Sequence, residues 1–398
     1  MRKLRTWLIN YWQIVTQFII SLFIAGFFLF FRLWNMTSGF SLSELEIHNN
    51  LKHHLYKPIY LWQHLINAPY TIGLLVLGKL NFTNALAIRS IGAFFGLLTV
   101  FCFYYVIRRW HNTLIALLIT SVFTLNFWFL LTTRFGQTDS LYPLSVLLVL
   151  ILAFIIRRLK SRSLNELVVI LIAGLLIYIP GIIWFITIGL IWQWSYLTDE
   201  FSRLSLKLKS LYTLIFLAIL APLAISIFQT PSNIKLLLGL PLKLIGIKLI
   251  GLNVLHSLIA LFARNTYYPS LSLGHQPILG IFTIVMLVIG VYHYITENKH
   301  DRLMLILGGI FLGIILSSLG GTIPLAIILP FVYILIASGI SYLINIWFVV
   351  FPRNPVARTT GVVLIILLVA SVLFYHYNQF FVAWPHTEQT IQTYSLSG

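Results

Sequence analysis

Residues 166–197, ELVVILIAGLLIYIPGIIWFITIGLIWQWSYL, decide the class of fold. A helix on the surface of a soluble core would return a polar residue to one face every three or four positions, and this stretch does not. Tyr178-Ile179-Pro180-Gly181 at its middle stops any helix run through it, because proline lacks the amide hydrogen and clashes with the preceding turn. The stretch therefore reads as two apolar spans meeting at a tight turn. A bilayer core of about 30 Å asks for about 20 apolar residues per crossing.

Similar runs lie on both sides, at 14–34, 85–107, 113–131 and 141–156 upstream, and at 211–228, 278–294, 303–319, 323–350 and 361–381 downstream. The chain of 398 residues is 59% hydrophobic and 9% charged, with a mean hydropathy of +0.95. Strand-like alternation, which a transmembrane barrel would require, is absent. The expected fold is all-α: a polytopic integral membrane protein with about 11 transmembrane helices and external interfacial helices. It reads as a single membrane domain over 1–398, with a motif-bearing half at 1–165, containing the first external loop 35–84, and a scaffold half at 166–398, containing an external interfacial loop at 229–277.

The formal net charge of +17 would suggest nucleic acid in a soluble protein. Here the basic residues fall between apolar runs, so no nucleic-acid partner is expected. Arg108/Arg109, Arg157/Arg158/Lys160/Arg162, Arg203/Lys207/Lys209, Lys299/Arg302 and Arg353/Arg358 all land on one side when the basic N-terminus is cytoplasmic. That places the protein in the plasma membrane as a multi-pass chain. The single cysteine, Cys102, sits inside an apolar run and reads as a small core residue.

Charge scarcity makes the segment 38–62, SGFSLSELEIHNNLKHHLYKPIYLW, stand out. It holds Glu44 and Glu46, two of nine carboxylates in the chain, followed by His48, His53, His54 and Lys57. Such a cluster must sit in water or in a lined cavity. In this topology it shares the external side with Arg89, with Arg134 and Asp139 of the segment TTRFGQTDS, and with Lys235, Lys243 and Lys248, which lie on an expected interfacial helix pair kinked at Pro241. Glu166, Asp199, Glu200, Glu297 and Asp301 read as solvated charges in cytoplasmic loops.

In order along the chain these residues resemble the polytopic C-type glycosyltransferases, in particular the protein O-mannosyltransferase and aminoarabinose-transferase branch. The likeness rests on Ser43-Glu44-Leu45-Glu46 followed by Lys57-Pro58-Ile59-Tyr60, on Arg89-Ser90-Ile91-Gly92 with Gly96, on Arg134 five residues before Asp139, and on His275-Gln276-Pro277. The family pattern carries Asp then Glu in the first loop, where this chain has Ser43 then Glu44. A serine hydroxyl is no ordinary general base, and Glu46, three residues on, shares a helix face with Ser43.

The resemblance implies an inverting glycosyltransferase that moves a sugar from a polyprenyl-phosphate carrier to an acceptor hydroxyl on the external face. Glu44 or Glu46 would be the base, with Asp139 a ligand of the sugar or acceptor. Arg134, Arg89 and Lys57 would hold the donor phosphate, and Lys235, Lys243 and Lys248 the carrier lipid. The implied partners are the lipid-linked donor, membrane lipid and an acceptor that is protein, lipid or glycan. No cofactor is required. Two other classes stay open: a metal-dependent membrane enzyme with Glu44 and His48 as ligands, and a catalytically silent binder or a transporter or flippase of lipid-linked sugars.

Overall fold

The structure, a computed structural model, describes residues 39–54, 65–80, 82, 84–156, 163–243, 245–265, 273–321 and 323–396. The expected first span 14–34, Lys57 with the adjoining 58–62, and the basic loop 157–162 lie outside the described residues. Among the described residues the chain is helical throughout, with one isolated antiparallel bridge between Phe40 and Leu396.

The helices are α1 (Leu42–His54), α2 (Ala68–Lys79), α3 (Ala85–Trp110), α4 (Thr113–Leu125), α5 (Phe127–Arg134), α6 (Leu141–Ile156), α7 (Ser163–Leu176) and α8 (Ile182–Trp192). They continue with α9 (Trp194–Arg203), α10 (Leu206–Gln229), α11 (Ser232–Leu237), α12 (Ile247–Phe262), α13 (Ile281–Thr296), α14 (His300–Ser318), α15 (Leu329–Val350), α16 (Pro355–Tyr377) and α17 (Glu388–Thr393). Short 3-10 turns, Thr138–Ser140 and Leu325–Ile328, lead directly into α6 and α15.

Asparagines start several of these helices. Asn84, Asn112, Asn126 and Asn354 each sit just before an apolar run and accept a hydrogen bond from the amide three residues on, at 2.9, 2.9, 3.0 and 3.1 Å. Each thereby satisfies a donor that the helix itself cannot pair.

Six of the described helical segments are long and apolar enough to cross a membrane: Ala85–Trp110, Thr138–Ile156, Leu206–Gln229, His300–Ser318, Leu325–Val350 and Pro355–His386. A seventh forms if α4 and α5 count as one span bent by 60°. The expectation of about 11 spans is thus not met among the described residues. The helices α7, α8, α12 and α13 are apolar but have 14, 11, 16 and 16 residues, short of a full crossing. The turn between α7 and α8 is where the sequence puts it, with Gly181 at φ 72, a left-handed conformation that glycine adopts without strain.

α15 is buried over most of its length and forms the centre of the bundle, whereas α10 and α16 present rows of exposed apolar side chains. α13 crosses α15 closely. Gly290 on α13 lies against the Leu335 carbonyl, and Gly339 on α15 lies against the Met286 carbonyl, so neither position has room for a side chain. The main core runs from Phe40 to Val369 and draws on both halves of the chain.

Candidate functional site

α1 begins at a reciprocal cap. The Glu44 amide donates to Ser41 Oγ at 3.3 Å, and the Ser41 amide donates to Glu44 Oε2 at 3.0 Å. This is the capping box that Ser41-Leu42-Ser43-Glu44 spells. The same carboxylate takes three further bonds. Arg89 of α3 donates from Nε to Oε1 at 2.7 Å and from Nη2 to Oε2 at 2.8 Å, and the Gly136 amide donates to Oε1 at 3.1 Å. Each oxygen therefore accepts twice, which fills the capacity of a carboxylate.

Glu44 and Arg89 are both fully buried. Burial pushes the Glu44 carboxyl up, but the Arg89 guanidinium and the Ser41 and Gly136 amides outweigh it and hold the group below the usual carboxylate range. Arg89 Nη2 also donates to the Gly39 carbonyl at 2.7 Å, and its guanidinium lies 5.4 Å from the centre of the Tyr394 ring. Glu44 and Arg89 thus tie together α1, α3, the segment after α5 and the C-terminal tail.

Two glycines on α3 make room for that arrangement. A Cβ on Gly92 would stand 2.6 Å from the Phe135 carbonyl oxygen, and one on Gly96 would stand 2.7 Å from the Thr133 Cβ. The end of α5 therefore lies directly on α3, and the chain runs on from there through Gly136 to Asp139.

Beside this knot is a cavity of about 470 Å³ lined by Ser43, Gln137, Asp139, Thr390, Trp384 and Tyr394, among others. Gln137 Nε2 donates to Ser43 Oγ at 2.9 Å, and Ser43 Oγ lies 3.2 Å from Ser41 Oγ. Asp139 enters the wall from the 3-10 turn Thr138–Ser140. Among the described residues none hydrogen-bonds or ion-pairs with its carboxylate. Phe135, Trp384 and Tyr394 form an aromatic side to the cavity, with the Phe135 and Tyr394 rings stacked at 5.1 Å and Phe135 to Trp384 at 5.5 Å.

The geometry redistributes the residues that the sequence brings forward. Glu44 points to Arg89 and the backbone, not to the cavity. Arg89 is committed to Glu44. Arg134 is fully buried, its guanidinium 5.1 and 5.2 Å from the Phe380 and Phe381 ring centres, and it is not among the lining residues. Glu46 is exposed on α1 and does not line the cavity, whereas Ser43 and Asp139 do. His48 is buried with its ring 4.9 Å from that of Phe40. No group of three or more His, Cys, Asp or Glu gathers as a metal cluster among the described residues. Lys235, Lys243 and Lys248 are exposed on and around α11 and α12, with the break at Pro241 falling between those helices as expected. Glu166 differs from the reading of a solvated loop charge: it is buried against Tyr212.

No family model matches the chain, and no curated protein matches it in sequence.

The residues that sequence reasoning missed belong to the tail. Past α16 the chain turns through Asn378–Ala383 and Trp384–His386 into α17, and returns to pair the Phe40 amide with the Leu396 carbonyl at 2.8 Å. Gly39 lies against the Tyr394 carbonyl, leaving no space for a side chain there. Thr387, Thr390, Thr393, Trp384 and Tyr394 all line the cavity from this side. The available signal was the dense mixture of aromatic and hydroxyl residues in WPHTEQTIQTY, which does not suit a free external tail.

Proposed function

We propose that the chain is an integral-membrane glycosyltransferase that takes a sugar from a polyprenyl-phosphate carrier, with Asp139 as the base. The observation that carries this reading is the cavity of about 470 Å³ in whose wall the Asp139 carboxylate, which takes no hydrogen bond or ion pair among the described residues, stands with hydroxyl and amide groups and the rings of Trp384 and Tyr394. Sugars are bound by such combinations, hydrogen bonds to hydroxyls on some sides and an aromatic face on another. In the reaction the acceptor hydroxyl gives its proton to Asp139 as its oxygen bonds to the anomeric carbon. The bond from that carbon to the carrier phosphate breaks on the opposite side, giving inversion, and the phosphate leaves as an anion that needs a cation more than a proton.

Within this proposal Glu44 and Arg89 are positioning residues. They fix Gly136, and with it Asp139, against α1. Lys57, three residues beyond α1, remains the candidate cation for the donor phosphate, and Lys235, Lys243 and Lys248 remain candidates for drawing the anionic carrier to the surface.

A second reading, a silent binder of lipid-linked sugars, is favoured by one observation: the first-loop carboxylate is consumed by structure. The two separate in one experiment. The purified protein is unfolded thermally against a panel of polyprenyl phosphates and their sugars, and transfer to a mixture of peptide, lipid and glycan acceptors is measured alongside. The transferase reading expects a stabilising donor and transfer that Asp139→Asn removes while the stabilisation stays. Stabilisation without transfer in the wild type supports the binder, and no stabilisation by any donor overturns both.

A further inference from the structure

A second polar cavity lies at the other end of α3. Arg89 and Trp110 are 21 positions apart on this helix, which at about 1.5 Å per residue separates them by about 30 Å, the thickness of a bilayer core. The cavity, about 260 Å³, is walled by His111, His293, Glu297, Lys299, Arg302, Ser338 and Ser341, among others. It therefore joins the α3–α4 turn, the α13–α14 turn and the middle of α15. None of these residues takes part in the site described above.

We propose that this cavity binds a phosphate group, carried by an anionic lipid at the membrane edge or by a small soluble phosphate. The wall offers donors of several kinds: the Lys299 ammonium, the Arg302 guanidinium, the Ser338 and Ser341 hydroxyls, and two imidazoles. The His293 side chain is 6% exposed, and neither its Nδ1 nor His111 Nε2 has a hydrogen-bond partner among the described residues. Buried ring nitrogens without partners are costly and mark a place where a ligand or water belongs.

Charge decides the sign of that ligand. The one carboxylate at the cavity, Glu297, is already hydrogen-bonded by Lys299 and lies 3.7 Å from His293 Nε2. Arg302 sits 5.5 Å over the Trp110 ring, and α14 begins at His300, directing the positive end of its backbone dipole to the same region. Burial first, and then the charges of His293, Lys299 and Arg302, push the His111 imidazole down to about 4. With Glu297 engaged by Lys299, the remaining groups of the wall are cationic or neutral donors, and a doubly charged oxyanion with several acceptor oxygens meets ammonium, guanidinium and hydroxyl donors together. The volume is below the range of about 300–1,000 Å³ usual for larger ligands, which suits a headgroup and not a nucleotide.

The test is thermal unfolding of the full chain in detergent, titrated with sodium phosphate against sodium chloride at equal ionic strength, and separately with short-chain phosphatidic acid against phosphatidylcholine of the same chain length. Expected is a rise of about 3 °C or more with at least one of the two phosphate probes. In Arg302→Gln and in Lys299→Gln, both at partly exposed positions that leave the core intact, the half-maximal concentration should rise about tenfold. A rise with phosphatidic acid alone supports the lipid source, and a rise with inorganic phosphate as well supports a site open to solvent. No rise with either probe, or half-maximal concentrations unchanged in both variants, overturns the proposal.

Discussion

Glu44 accepts four hydrogen bonds and faces one buried arginine, so its removal acts on the fold before it acts on chemistry. Glu44→Gln leaves Arg89 buried with no opposing charge, which costs about 3–5 kcal/mol and should lower the melting temperature sharply. Asp139→Asn, at a carboxylate with no hydrogen bond or ion pair among the described residues, should change stability by less than about 1 kcal/mol and, under the proposed function, remove transfer. Calorimetry of the two variants, with transfer assayed on each, checks both statements. Because the Glu44 carboxyl is held below its usual value of 4.5, its stabilising contribution is complete above that pH and is lost as the pH falls through the depressed value. An acid titration of stability should therefore show a loss below about 4.5 that Glu44→Gln no longer shows. The pair was legible in part: Ser41-x-x-Glu44 spells a capping box in the sequence, and reading Ser43-Glu44-Leu45-Glu46 as a catalytic element passed over it. Its partner, 45 positions away, could not be read from local pattern.

At the scale of helices, α3 shows what the sequence reveals and what it hides. A long apolar run closed by Arg108 and Arg109 placed the element, and apolar runs of similar length placed α6, α10, α14, α15 and α16. The Gly92 and Gly96 pair belongs to the resemblance in the sequence, and its physical role is the contact with Phe135 and Thr133. Gly92→Val would meet the Phe135 and Thr133 carbonyls and force α3 and the end of α5 apart, at a cost of about 1–3 kcal/mol, and would move Asp139 away from Ser43. Loss of donor-induced stabilisation in that variant, with the helical circular dichroism kept, is the expected result. The 60° bend between α4 and α5 was not visible, because Asn126 sits in a run whose hydropathy alone reads as one continuous span. Asn126→Ala should remove the α5 cap for about 1 kcal/mol, measurable as a fall in the melting temperature. Helices α7, α8, α12 and α13 were read as spans or interfacial pairs from composition, and their short lengths follow from Gly181, Pro241 and the loops between them, which periodicity does not weigh.

Over the whole molecule, chemistry-bearing residues collect at the two ends of α3 and the interior is apolar. The arginine and lysine loops at 108–112 and 297–302, assigned to one side from charge alone, do meet in space, with Arg302 over Trp110. Acid should weaken this end too. His111, held to about 4 against an ordinary 6.5, is neutral in the fold while the unfolded chain takes up a proton, so stability falls as pH drops from about 6.5 towards 4. Saturating phosphate should reduce that loss if the cavity holds an anion, and the pH profile of melting temperature with and without phosphate measures it. The tail was the least legible part, since its contacts with Gly39, Phe40 and Arg89 join distant parts of the chain. Trp384→Ala should cost about 3 kcal/mol or less, as a partly cavity-facing aromatic, and should weaken donor stabilisation more than Thr393→Ala does.

The bridge between Phe40 and Leu396 also sets an order of events during synthesis. Glu44, Arg89 and Gly136 emerge early and can close their ion pair while the later helices are still being made. Phe135 emerges with those three residues, but Trp384 and Tyr394, which complete the aromatic side of the cavity, emerge after all of the long helices, so the nascent chain carries an open pocket until 384–396 fold back. A chain cut just past α16 would hold the long helices and lack the Trp384 and Tyr394 side of the cavity.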